Sequence, residues 1–136
     1  MSYERIERDG TLYAEVIWSG TTVEKSRFFS DDKSSLQFGL LAHEAGFVEP
    51  AHYHHPINRE ISDLQQMFVV QRGVVAVEFY TSEGEKFHET VLRVGDAINL
   101  VHGVHAVRVI EDMQCVSVKQ GPFLGDKLDK VNVSIK

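Results

Sequence analysis

Apolar and polar positions alternate with period two along most of this chain, and short polar turns containing glycine interrupt the alternation. Alternation sends successive side chains to opposite faces, so each run reads as a strand with one face toward a core. Residues 11–18 and 35–42 are the first two such runs. The clearest pair is 67–70 and 74–80, with Gln71, Arg72 and Gly73 predicting a hairpin turn between them. A polar stretch at 81–86 leads to a strand over 87–92, and Val94, Gly95 and Asp96 turn the chain into 97–101. A loop at His102, Gly103 and Val104 precedes a strand over 105–110, which Glu111 and Asp112 close. Residues 113–119 predict a last core strand, and 126–130 a charged surface tail. Helix is scarce, and neither an internal repeat nor a low-complexity segment is present. The spacing of strands and turns is that of an all-β barrel or sandwich.

Composition narrows this picture. A length of 136 residues with 43% hydrophobic content suits one compact domain, taken as 1–136. A formal net charge of −6 offers no basic patch for nucleic acid or an anionic membrane. The single cysteine, Cys115, cannot form an internal disulfide; residues 1–10 are too charged for a signal peptide, and no apolar run reaches the roughly 20 residues that span a bilayer. The expectation is a cytoplasmic protein that binds neither nucleic acid nor membrane.

Histidines carry the candidate chemistry. Five of the seven, His52, His54, His55, His102 and His105, fall in two short windows. On a strand, His52 and His54 share one face, with Tyr53 and His55 on the other. By the same rule His105 shares its face with Val107 and Val109, the set expected to line an interior. Neutral imidazole is the commonest metal ligand, and three histidines with one further oxygen donor suit Fe, Mn, Ni, Cu or Zn. The competing reading of each is a surface or structural histidine. His55 and His102 are expected at a surface or pocket rim, His43 and His88 have no supporting context, and Cys115 reads as a core cysteine.

These positions resemble the two half-motifs of the cupin superfamily. Gly46, five residues, then His52, Tyr53 and His54 match the first half of the first motif. Counting back from Gly73, Gln66 stands where the family has glutamate, and the longer gap makes 55–65 an inserted loop. Gly95, Val101 in place of proline, Gly103 and His105, with one residue fewer, follow the second motif. The resemblance covers 36–118, flanked by N-terminal strands within 1–30 and a tail over 121–136. It implies a single-domain double-stranded β-helix, a jelly-roll-like barrel, with His52, His54, Gln66 and His105 as metal ligands. Glu60, in the inserted loop, is the alternative carboxylate; its competing reading is solvated loop charge beside Arg59. The segment 95–123 also resembles small single-cupin proteins of bacterial surface-polysaccharide and sugar-nucleotide pathways.

Three functions are compatible with the resemblance. The first is a metal centre acting on, or binding, a small molecule in the barrel mouth. Alternatives are metal-independent proton transfer of the sugar-nucleotide ketoisomerase or epimerase kind, which suits histidine's near-neutral pKa, and a non-catalytic small-molecule-binding module. The all-β edges and the resemblance together imply a homodimer.

Overall fold

The alternating runs become the strands of one curled antiparallel half-barrel sheet in a computed structural model, which describes residues 2–136. Strands β1 (Tyr3–Arg8) and β2 (Thr11–Ile17) form an N-terminal hairpin. A separate two-stranded sheet is made by β3 (Arg27–Phe28) and β4 (Gly39–Leu40). The main sheet continues with β5 (Gln66–Tyr80), β6 (Lys86–Leu92), β7 (Ala97–Leu100) and β8 (Val104–Lys119), and a single helical turn, α1 (Asp126–Asp129), follows. The main path runs β1-β2-β7-β5-β6. Strands β7 and β6 share one edge of β5, at residues 66–69 and 75–80, and β8 takes the whole opposite edge.

The core lies on one face of this sheet. Ala14, Val16, Ile98, Leu100, Phe68 and Val70 continue into Val75, Val77, Phe79 and Leu92, all buried. Tyr13 and Phe87 meet Phe79 and each other in tilted and edge-on contacts. Burying each of these large side chains is worth about 1.5–3 kcal/mol, so the period-two pattern is what holds the sheet in its curl. On the outer face Lys86 Nζ lies 2.9 Å from both Glu78 and Glu89, and Arg108 Nη2 lies 2.9 Å from Glu89. Lys86 first, then Arg108, pull the Glu89 carboxyl down to about 2, and the charges cross-link β6, β5 and β8.

Several sequence expectations are corrected. The hairpin turn expected at Gln71, Arg72 and Gly73 is a bulge inside the continuous 15-residue strand β5. Both halves of β5 pair with β8, so the long ladder overrides the local turn signal. Likewise Glu111 and Asp112 do not end a strand: β8 runs unbroken for 16 residues. Nor is β8 a core strand. Val107 and Val109 share the face of Val77 and Val75, yet they are 43% and 51% exposed because, among the described residues, no strand lies beyond β8 to continue the curl. Of the 35–42 run, only Gly39 and Leu40 pair. The His52-Tyr53-His54 segment is not a strand: residues 41–65 carry no regular structure.

Candidate functional site

The second face of the sheet is built from the other set of alternate residues. Strand register aligns Glu15, Asn99, Met67 and Val118 in one row, and Ile17, Ala97, Val69 and Val116 in the next. Over this face lies the β3–β4 hairpin, whose Phe28, Phe38 and Leu40 form the opposing wall. Between them is a cleft of about 620 Å³, floored by Met67, Val69 and Ala97 and bordered by Trp18, the chain's one tryptophan. Its lining is apolar except at a few positions, of which Asn99 is fully buried.

A buried polar network underlies that position. The Glu15 carboxyl, 1% exposed, accepts hydrogen bonds from Tyr3 Oη at 2.6 Å, Ser30 Oγ at 3.1 Å and Asn99 Nδ2 at 3.2 Å. Ser30 Oγ also accepts from the Phe38 backbone N–H at 2.9 Å, so this hydroxyl fastens the hairpin to the sheet. Tyr3 stacks on Phe29, ring centroids 4.4 Å apart, which clamps the hairpin from the β1 side. Asn99 Nδ2 donates a second bond to Gln65 Oε1 at 3.1 Å; Gln65 in turn donates to Asp63, which also accepts from Ser35. These two bonds lower the Asp63 carboxyl below its usual range.

Both neighbours of the Asn99 amide nitrogen are acceptors, which fixes the amide's orientation. Its carbonyl oxygen, Oδ1, is therefore the free end. Among the described residues Asn99 Oδ1 and Gln120 Nε2 are the buried side-chain polar atoms without a partner. A buried unpaired acceptor costs about 1–3 kcal/mol, and native structures contain few. Asn99 is among the residues that line the cleft, and this unpaired oxygen lies beneath its surface.

Burial, then the hydrogen bond to Glu15, pushes the Tyr3 phenol from 10.0 up to about 12. The folded value lies above the unfolded one. Its contribution to stability is therefore complete below pH 10 and is lost as pH rises toward 12. Stability measured by denaturation across that window should fall, and Tyr3→Phe should remove this part of the fall. An unchanged alkaline limb in the variant would contradict the assignment.

The histidines lie elsewhere. His52 and His54 are neighbours, with ring centroids 5.3 Å apart, on the exposed 43–64 segment. His52 Nδ1 is 2.8 Å from the Pro50 carbonyl oxygen, and Nε2 is 3.6 Å from Glu49. Gln66 opens β5 beside Lys119, and its amide donates to Ser117 Oγ at 2.8 Å. His105 pairs with Phe79 at the other end of β5. At ~3.3 Å per residue, nearly the whole of that strand, roughly 40 Å of chain path, separates Gln66 from His105. The structure thus places the His52–His54 pair together, and Gln66 and His105 at opposite ends of a strand. Glu60 sits exposed in the same segment as the pair. His105 lies at the rim of the sheet, where lost hydration, followed by the Lys130 charge, lowers its pKa against a backbone hydrogen bond at Gly103 that raises it. Among the described residues no group of three or more His, Cys, Asp or Glu side chains is placed to hold a metal ion.

Glu15, Asn99, Gln65 and Ser30 were not singled out by motif. The available signal was a carboxylate between Tyr13 and Ile17, and an amide inside Ala97-Ile98-Asn99-Leu100, both on strands otherwise apolar on that face. Among the described residues no helix is long and apolar enough to cross a membrane. No family model, no curated protein and no solved structure matches this chain.

Proposed function

We propose that this protein binds a small, mostly apolar molecule in the cleft between the sheet and the β3–β4 hairpin, with one donor of the ligand bonded to Asn99 Oδ1. The observation that carries this reading is the coincidence of an apolar cavity of about 620 Å³ with a fully buried, unpartnered acceptor in its lining. Small-molecule sites are commonly of this size, with few polar groups that set orientation. The metal-centred reading requires His52, His54 and His105 to share one pocket and the proton-transfer reading requires the His52–His54 pair beside the ligand, and none of the three lines this cleft. The binding-module reading needs no such convergence.

The finer description of the fold belongs to the same proposal. A cupin-type double-stranded β-helix is supported by the antiparallel curl and by Gly73, Gly95 and Gly103, all at positive φ at the motif positions. The facing sheet is represented by β3 and β4 alone.

Trp18 provides the test. Phenols and the matching aromatic hydrocarbons, titrated separately, should both perturb Trp18 emission, with the phenol binding about tenfold more tightly, the equivalent of ~1.4 kcal/mol for one hydrogen bond. Ala97→Phe, which fills the floor, should abolish both responses, whereas His52→Ala with His54→Ala should leave them intact. Equal affinity for phenol and hydrocarbon, or no response to either, would sink the proposal.

A further inference from the structure

The single chain exposes far more surface than its mass requires. Its accessible area is 9910 Å² at 15.4 kDa, where a compact monomer of that mass exposes roughly 7,200 Å². The excess, roughly 2,700 Å², is comparable to what one subunit contributes to a large obligate dimer interface, where both together bury ~2,000–5,000 Å².

Part of this area lies in the largely exposed segment 121–136, and two further features contribute apolar surface. Every residue from 43 to 64 is exposed, including Phe47, Val48, Tyr53, Ile57 and Ile61. The segment is held at its ends, by the Ser26–Ala42 contacts and by Ser35 donating to Asp63. With no apolar burial of its own, this segment lacks compensation for the backbone entropy cost of ordering it, about 1–2 kcal/mol per residue. The second feature is β8, paired on one side only over its 16 residues, with Val107, Val109, Val116 and Val118 left exposed. A long apolar edge of this kind is a template for association unless covered.

We infer that the protein is an arm-exchanged homodimer in which residues 43–64 of each copy lie across β8 of the other. A second copy fits better than a foreign partner because arm and acceptor strand occur once each on every chain. Reciprocal exchange about a two-fold axis uses both surfaces and leaves neither over. The inference does not rest on the ligand assigned to the cleft.

Sedimentation equilibrium of the full chain should give twice 15.4 kDa. Hydrogen exchange on that species should show slow amides within 43–64 and along β8. An arm variant, Ile57→Asp with Ile61→Asp, and a strand variant, Val107→Lys with Val109→Lys, should each sediment as monomers. Their mixture should recover a dimer, because one intact arm meets one intact β8 and the altered pair has opposite charges. A monomeric wild type, fast exchange throughout 43–64, variants that stay dimeric, or a mixture that stays monomeric would each overturn the inference. If the variants fail to fold, the mass and hydrogen exchange of the wild type decide it.

Discussion

Gly73→Val is expected to cost more than about 3 kcal/mol and to break the ladder between β5 and β8 at its centre. Gly73 has φ +87°, a conformation a β-branched residue rarely adopts. A Cβ placed there would come within 2.1 Å of the Asp112 carbonyl oxygen and 2.7 Å of that of Glu111. Both are backbone atoms, so relief requires β8 itself to move. The register irregularities between Val70 and Val75 surround this point, and they keep both halves of β5 facing the core. Gly46→Ala isolates the strain alone: Gly46 has φ +93° with nothing within 4 Å of the added carbon. That control should cost about 1 kcal/mol. Urea unfolding of the two variants checks the contrast, and equal effects would show that the approach of β8 is unimportant.

Glu15→Ala should lower stability by about 3 kcal/mol, a fall in thermal midpoint of roughly 10 °C for a domain of this size. The loss is larger than that of one contact because three donors, Tyr3 Oη, Ser30 Oγ and Asn99 Nδ2, lose their acceptor together. Ser30 and Asn99 are buried and cannot turn to water. A buried carboxyl is costly in itself, and its worth here lies in satisfying donors from three separate segments. Glu15→Gln keeps one acceptor oxygen and should retain about half the lost stability. The Ser30 bond also holds the hairpin down, so Glu15→Ala should shift Trp18 emission toward that of a solvated indole. A stability loss without change in Trp18 would place the effect in the β1–β2 hairpin rather than the cleft wall.

Local pattern carried several strands well, even where their pairing partners were far apart in sequence. Residues 11–18, 87–92 and 97–101 became β2, β6 and β7 because alternation and polar turns agreed there. Gly73 and the Glu111–Asp112 pair misled because turn residues also make bulges, and only the partner strand decides between the two. The histidine windows misled for another reason. Side-chain alternation applies only where the chain is a strand, and residues 41–65 are not one. In register His105 lies with Phe79, Val77 and Val75, yet it is exposed, because register does not say whether a further strand closes that face.

By itself the sequence determined the period-two elements and the dominance of antiparallel strands. These follow from near-neighbour chemistry: side-chain alternation, and glycine where the backbone must turn. Tertiary structure alone decided that β7 and β6 share one edge of β5, that β8 is left open, and that Glu15, Asn99, Gln65 and Ser30 meet behind an apolar cleft. Those contacts join residues up to 84 positions apart, Glu15 to Asn99. No local signal encodes such a meeting, because its free energy comes from burying several strands at once and satisfying their polar groups against one another.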